Sequence, residues 1–313
     1  MILAADIGGT RCRFLLAETD GTIAAEAAYA SAGFPNLEAA IDRFMDEHQT
    51  GRDHIELAAL ALAGPVTGDC VALTNLPWLV CRRALAQRLP KANILFVNDF
   101  QAAALGVLEV PPERLRPLRE LPARPRARKL VLGAGTGLGV AYLHPAHGGH
   151  RAWPTEAGHM GFAPADALQW RLAEHLRRRH GRVSWERILS GPGLAELHAF
   201  LHGGAPVEPP AVIDAAAAGD SEAEATVALF VRLYGAFCGD AALAWQPAGG
   251  IYLTGGVTTH IAPWLDTAGF LEAYADKGRM ASLVNRFPIH IVMEPRVGLL
   301  GALRHALDHQ VTS

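Results

Sequence analysis

The sequence predicts two α/β domains. Three observations carry this. Apolar runs of strand length alternate with segments of helical periodicity, the pattern of an α/β fold. A strand, a Gly/Thr turn and a returning strand occur twice, once at the head of each half. And 313 residues exceed the usual size of one compact domain.

The elements follow in order. Ile2–Ala5 and Cys12–Ala17 read as strands joined by the turn Asp6-Ile7-Gly8-Gly9-Thr10, and Thr22–Ala30 as a third strand. Leu37–His48 has helical periodicity, with Leu37, Ala40, Ile41 and Phe44 on one face. Ile55–Ala63 is a buried strand ended by Gly64-Pro65. Asn93–Val97 is a strand closed by Asn98-Asp99, and Phe100–Leu108 a helix. The Pro- and Arg-rich stretch Pro111–Pro125 marks the domain boundary. The opening pattern then recurs: strand Lys129–Leu132, turn Gly133-Ala134-Gly135-Thr136-Gly137-Leu138-Gly139, strand Val140–Leu143. Helices are expected at Ala165–His180, Trp185–Leu201 and Ser221–Trp245. Strands are expected at Ile251–Leu253, ending in Thr254-Gly255-Gly256, and at Ile289–Val292. A last helix from Val297 folds back onto the first domain. The expected division is a small domain, 1–110, joined by helix 297–313, and a large domain, 111–296.

Hydrophobic residues make up 50% and charged residues 19%, the balance of a folded globular chain. The net charge of −3 argues against a nucleic-acid partner, because such binding rests on a basic face that neutralises phosphates. The basic runs Arg177-Arg178-Arg179 and Arg114–Lys129 read as a solvated helix face and an exposed loop. Cys12, Cys70, Cys81 and Cys238 form no C-x-x-C pair, and reduced structural thiols are expected. No charged-then-apolar leader opens the chain, and Leu130–Leu143 is too short to span a bilayer. The expected location is the cytoplasm, without a membrane partner.

A glycine turn between strands lets backbone N–H groups approach a phosphate with no Cβ in the way. Asp6 places a carboxylate beside the first turn, and a carboxylate next to a phosphate calls for a cation such as hydrated Mg²⁺. One D-x-G-G-T turn is equally compatible with an ordinary hairpin; two such turns favour a nucleotide clamp. G-x-x-x-x-G-K-[ST], H-E-x-x-H and G-x-S-x-G are absent, and Gly133–Gly139 lacks the G-x-G-x-x-G spacing. Asp99 falls at the carboxyl edge of a sheet, either as a helix N-cap or as a base accepting the proton of an attacking hydroxyl. Glu156-Ala157-Gly158-His159 and Glu186 supply the acceptors and donors a polyol requires. Singly, Glu186 also fits a first helical turn and His159 a structural role.

Asp6–Thr10 with Arg13 resembles the first phosphate motif of the hexokinases, Val97-Asn98-Asp99-Phe100 their catalytic segment, Gly133–Gly139 their second phosphate turn, and Thr254-Gly255-Gly256-Val257 the segment beside adenosine. Glu156–His159, Glu186–Leu194, Asp276-Lys277-Gly278-Arg279 and Gly298-Leu299-Leu300-Gly301 bring the pattern closest to the bacterial glucokinases, nearly from end to end. The resemblance implies a duplicated actin-like ATPase (ribonuclease H-like) fold of the hexokinase type, with sugar deep between the domains, ATP-Mg at the mouth, and closure on sugar binding. It implies ATP-dependent phosphorylation of the 6-hydroxyl of glucose, with Asp99 as general base. Asn98, Asp99, Glu156, His159 and Glu186 would hold the other hydroxyls, and Asn75 would lie near the cleft. Gly8, Gly9, Thr10, Arg11, Gly135, Thr136, Gly137, Gly255 and Gly256 would contact the nucleotide, and Asp6 would orient Mg²⁺ through water. The family also implies a homodimer. Arg11 stands where Asn is common, Ala157 replaces a frequent Gly, and the zinc motif of the repressor/kinase (ROK) group is absent. Neither that motif nor an extension before Asp6 points to a repressor. The alternatives are a kinase for another hexose, a non-catalytic sugar sensor and a structural ATPase; polyphosphate and ADP are alternative donors.

Overall fold

Every position of Leu57-Ala58-Ala59-Leu60-Ala61-Leu62 is apolar, as a strand covered on both faces requires. In the computed structural model, which describes residues 1–312, this is the case. Ala58, Leu60 and Leu62 enter one core and Leu57, Ala59 and Ala61 another on the opposite face. The chain forms two units: Met1–Arg114 with His150–Pro154 and the segment from Glu294 onward, and Leu115–Gly149 with Thr155–Met293.

The first unit opens with β1 (Ile2–Ile7), β2 (Arg11–Ala17), β3 (Ile23–Ala30), α1 (Leu37–Glu47) and β4 (Leu57–Leu62). It continues with β5 (Cys70–Ala72), β6 (Leu79–Cys81), α2 (Arg82–Arg88), β7 (Asn93–Asn98) and α3 (Asp99–Gly106). Its main sheet has the order β3-β2-β1-β4-β7. β1 pairs antiparallel with β2 and parallel with β4, which pairs parallel with β7. α1 and α2 cover one face through Leu37, Ile41, Phe44 and Leu85, with Leu89 just past the end of α2.

The second unit carries β8 (Leu115–Arg119), β9 (Lys129–Ala134), β10 (Leu138–Ala146), the two ends of β11 (Gly149–Thr155, whose residues His150–Pro154 group with the first unit), α4 (Ala167–His180), α5 (Gly191–His202), α6 (Pro209–Ala217) and α7 (Ser221–Trp245). β12 (Ile251–Thr254), α8 (Gly256–His260), α9 (Ala262–Leu265), α10 (Phe270–Ala275), α11 (Ala281–Val284) and β13 (Ile289–Val292) complete it. The sheet order is β11-β10-β9-β12-β13-β8. β9 pairs antiparallel with β10 and parallel with β12, and β12 parallel with β13. β9, β10, β12 and β13 therefore repeat the arrangement of β1, β2, β4 and β7, so the weak sequence repeat is a duplicated topology. α7 is long and apolar enough to cross a membrane, with a mean hydropathy of 1.5, yet 67% of its most apolar stretch is buried, as in a core helix. Phe230, Tyr234 and Phe237 on α7 are fully buried.

α12 (Val297–Thr312) packs on α3 in the first unit. The two backbones touch at glycines: a Cβ on Gly301 would stand 1.7 Å from the carbonyl oxygen of Ala102, and one on Gly106 1.8 Å from that of Val297. Leu299, Ala302, Leu303 and Ala306 then close the second core of the first sheet.

The structure corrects four sequence expectations. Pro111–Pro125 is not all linker: β8 runs through it and pairs antiparallel with β13 at the sheet edge, where Pro117 lacks only a donor that a one-sided strand can spare. Trp185–Leu201 is not one helix. A 3-10 turn at Trp185–Arg187 precedes α5, whose start is set by Ser190 Oγ accepting from Gly193 N–H (3.1 Å) and by Pro192 in the first turn. β5, β6 and β11 were not anticipated. Finally, Cys70 and Cys81 form a disulfide, because the antiparallel register of β5 and β6 sets them directly opposite each other. Cys12 and Cys238 are free and buried.

Candidate functional site

The first unit gathers its candidate residues at the carboxyl edge of its parallel strands. Asp6 and Ile7 end β1, and Gly8 to Thr10 turn into β2, with Gly8 N–H donating to Arg11 C=O at 3.0 Å. The turn is pinned from behind: Ser31 Oγ donates to Gly8 C=O at 2.8 Å, and Ser31 N–H to Thr10 C=O at 3.0 Å. Thr10 and Arg11 are exposed. A Cβ on Gly9 would meet Asn75 Cβ at 2.8 Å, so only glycine lets the β5–β6 loop lie against the turn. Thr74 holds that loop by donating from both N–H and Oγ1 to Ala63 C=O (3.0 and 3.1 Å).

Asp6 is partly buried, and burial pushes its carboxyl above the usual carboxylate range; Arg13, with Nη1 3.7 Å from Oδ2, opposes the shift. A further cation beside it would favour the ionised form.

β4 links this turn to the second element of the edge. Leu62 is the register partner of both Ile7 and Asn98, so Asn98 stands two strands from Ile7, about 10 Å. The N-cap of α3 is Asn98, not Asp99: its side-chain oxygen accepts from the N–H groups of Phe100 (3.0 Å) and Gln101 (3.1 Å). Its amide donates to Gly64 C=O at 3.2 Å. Asn98 is thereby largely committed to the backbone. Asp99 occupies the first turn of α3, where Oδ1 accepts from Phe100 N–H at 2.8 Å and the helix dipole favours negative charge.

The second unit brings its candidates together around the turn between β9 and β10. Gly135 N–H donates to Gly137 C=O at 2.8 Å, leaving Thr136 exposed at the tip. Gly255 and Gly256 lie alongside: a Cβ on Gly135 would stand 3.9 Å from Gly256 N. Gly255 has φ +99°, a conformation that favours glycine, and a Cβ there would meet Ala134 C=O at 2.4 Å. Beneath the turn, Ala134 N–H donates to Thr258 Oγ1 (3.2 Å), which also pairs with Tyr234 Oη (3.1 Å).

Glu156, His159 and Glu186 converge beside this turn. His159 Nε2 is 3.8 Å from Glu156 Oε2, and His159 Nδ1 is 3.7 Å from Glu186 Oε1. Glu156 and His159 are exposed and Glu186 is about one-third exposed, so three polar side chains present acceptors and donors to solvent. The sequence did not signal how closely they join the turn. Leu138 N–H donates to Glu186 Oε2 at 2.9 Å, and a Cβ on Gly158 would stand 2.0 Å from Leu138 C=O. Gly298 also went unplaced by sequence reasoning, although its Gly-x-x-Gly spacing with Gly301 was legible. A cavity of about 720 Å³ in the second unit opens elsewhere, beside Arg124, Arg128, His144 and Arg286, and no candidate residue lines it.

The duplicated topology, with a glycine turn heading each half, is that of the actin-like ATPase class in its sugar-kinase branch. The sequence profile of the family described as Glucokinase matches residues 3–309. A glucokinase of Synechocystis is 35% identical over 96% of this chain and 96% of its own. Among solved structures, a glucokinase from an Antarctic psychrotroph superposes with a TM-score of 0.83 at 28% identity, covering 98% of both chains. A ROK-family glucokinase from Streptomyces griseus, in complex with glucose and AMPPNP, shares the fold with a TM-score of 0.65 at 19% identity, covering 98% of this chain and 99% of its own. The chain belongs to the glucokinase family.

Proposed function

We propose that this protein transfers the γ-phosphoryl group of ATP to the 6-hydroxyl of glucose, giving glucose 6-phosphate. The observation that carries the reading is His159 within 4 Å of both Glu156 and Glu186 beside the Gly135–Gly137 turn, in a member of the glucokinase family. The nucleotide complex of the Streptomyces griseus enzyme supports ATP as donor.

In this reading Glu156, His159 and Glu186 hold sugar hydroxyls, with Asn75 as a further contact, while Asn98 acts by fixing the start of α3. Asp99 accepts the proton of the attacking hydroxyl. The backbone of Gly8, Gly9 and Thr10 and that of Gly135, Thr136 and Gly137 meet phosphate oxygens, Arg11 adds charge at the first turn, and Gly255 and Gly256 lie near adenosine. Among the described residues no group of three or more His, Cys, Asp or Glu could cage a metal. A Mg²⁺ that keeps most of its waters fits Asp6 alone, and when bound it would neutralise charge on the phosphates. Positioning and charge neutralisation account for most of the rate in such transfers. The reading includes a homodimer working in the cytoplasm, where ATP is available.

A panel of glucose, mannose, fructose and N-acetyl amino sugars, run with ATP, ADP and polyphosphate in the presence of Mg²⁺, tests the reading. Glucose with ATP is expected to give the highest kcat/KM. A higher value for another sugar or donor overturns the assignment, and sugar binding without phosphorylation replaces it with a sensor.

A further inference from the structure

Glu186 faces two ways. Oε1 lies 3.7 Å from His159, on the side proposed to meet sugar, whereas Oε2 accepts the N–H of Leu138, the residue that closes the second glycine turn. The turn is shaped around this carboxylate: a Cβ on Gly137 would stand 2.6 Å from Oε2. The segment following Glu186 grips the other end of the same turn, since Gly191 N–H donates to Gly135 C=O at 2.8 Å. Gly158, between Glu156 and His159, seats on the carbonyl of Leu138. The N–H of Leu138 is therefore bonded by one segment, and its C=O packed against another, that carry the side chains proposed to meet sugar.

We infer that Glu186 is a positioning residue for the Gly135–Leu138 turn, so that its carboxylate sets nucleotide affinity as well as sugar affinity. The inference rests on the proposed reading, in which this turn binds phosphate and the cluster binds sugar. A hydrogen bond to an ionised acceptor is among the stronger ones, and the N–H it fixes belongs to a turn whose use depends on the direction of its backbone groups. Releasing Leu138 frees the turn to sample arrangements that do not bind, and affinity falls by the fraction of time spent in them.

The test uses the full chain without sugar. Calorimetry with AMPPNP and Mg²⁺ is expected to show about tenfold weaker binding for Glu186→Ala, equivalent to roughly 1.4 kcal/mol. Glu186→Gln keeps an oxygen acceptor for Leu138 and is expected to stay within about threefold of the parent. Hydrogen exchange at the Leu138 amide is expected to speed up in Glu186→Ala and stay slow in Glu186→Gln. Unchanged AMPPNP affinity in Glu186→Ala, or unchanged exchange at Leu138, overturns the inference. If the parent protein binds no AMPPNP, the kinase reading fails, and the exchange measurement alone decides whether Glu186 positions the turn.

Discussion

The backbone of Gly298 lies so close to Asp6 that a Cβ there would stand 2.8 Å from Oδ2 and 2.9 Å from Cγ. The first turn of α12 is thus the wall against which the Asp6 carboxylate rests. In Gly298→Ala the movable party is the Asp6 side chain, because α12 is locked to α3 by backbone contact at Gly301 and Gly106. The cost falls on function more than on folding. Because the Asp6 side chain can turn aside, the folding cost stays below the about 1–3 kcal/mol of overpacking in a closed core. We expect kcat/KM for ATP to drop about tenfold, with a raised Mg²⁺ requirement and a nearly unchanged melting temperature. A variant with parental kinetics would show that the position of Asp6 is immaterial.

Asp99 sits in the first turn of a helix capped by its neighbour Asn98, so substitution at Asp99 leaves the bonds from Phe100 and Gln101 N–H to the Asn98 side chain in place. Asp99→Asn is isosteric and removes the capacity to take a proton. General-base catalysis contributes typically 10²–10⁴-fold, so kcat should fall by about that range. Glucose affinity should stay within about tenfold, roughly 1.4 kcal/mol. Steady-state kinetics and sugar titration, run on the same preparation, separate the two effects. Near-normal turnover would remove Asp99 from the role of base.

The same residues show what a sequence can and cannot reveal. The strand–turn–strand openings were legible because each couples apolar runs to a glycine cluster, and α7 was legible to the residue; in the structure Asp220 caps it and Gln246 ends it in the left-handed conformation. β8 was hidden because Pro117 and its neighbouring arginines, tolerable only at a sheet edge, look like a linker. The Cys70–Cys81 pair was hidden because three-residue strands leave no periodicity to set a register. In the candidate site, Glu156, His159 and Glu186 were grouped by their donor and acceptor chemistry and by resemblance, and their distances are a product of the fold. The grip of Glu186 and Gly158 on Leu138 left only glycines as its trace, and a glycine records that two backbones meet without saying which.

The disulfide supports a hairpin that could not stand alone. Two three-residue strands are marginal by themselves, yet the loop between them carries Asn75 against Gly9. Cys70 and Cys81 are 11 residues apart, and closing a loop of this size is worth about 3 kcal/mol in the chain-entropy account. We expect the Cys70→Ser/Cys81→Ser double variant to lose about 2–3 kcal/mol in denaturant unfolding. Its glucose KM should rise and its kcat stay close to parental, since the loop carries a proposed sugar contact and no proposed reacting group. Equal stability with and without a thiol reductant in the parent protein would show that the bond contributes nothing to the fold.

Stability should also depend on pH through the entry to α12. Glu294 is buried, and its carboxylate accepts from Arg296 Nε (2.9 Å), Arg296 N–H (3.0 Å) and Arg296 Nη2 (3.3 Å). Those bonds hold its pKa below the ordinary value of 4.5, against the opposing effect of burial. Arg296 reaches on to Glu26 at 3.1 Å, tying the start of α12 to β3 and so fixing the helix that carries Gly298. A carboxyl whose folded pKa is depressed stabilises the fold above its unfolded pKa, and that contribution is lost as pH falls through the folded value. Glu294→Gln should therefore cost about 1.5–3 kcal/mol at pH 7, the worth of hydrogen bonds to a charged group. As pH drops below about 4.5 the parent protonates towards the same neutral state, and the gap between parent and variant should close. Urea unfolding of both proteins at pH 7 and at about pH 3 measures this directly, because other titrating groups cancel in the difference. A gap of equal size at both values would mean that the ionised form of Glu294 is not what secures the start of α12.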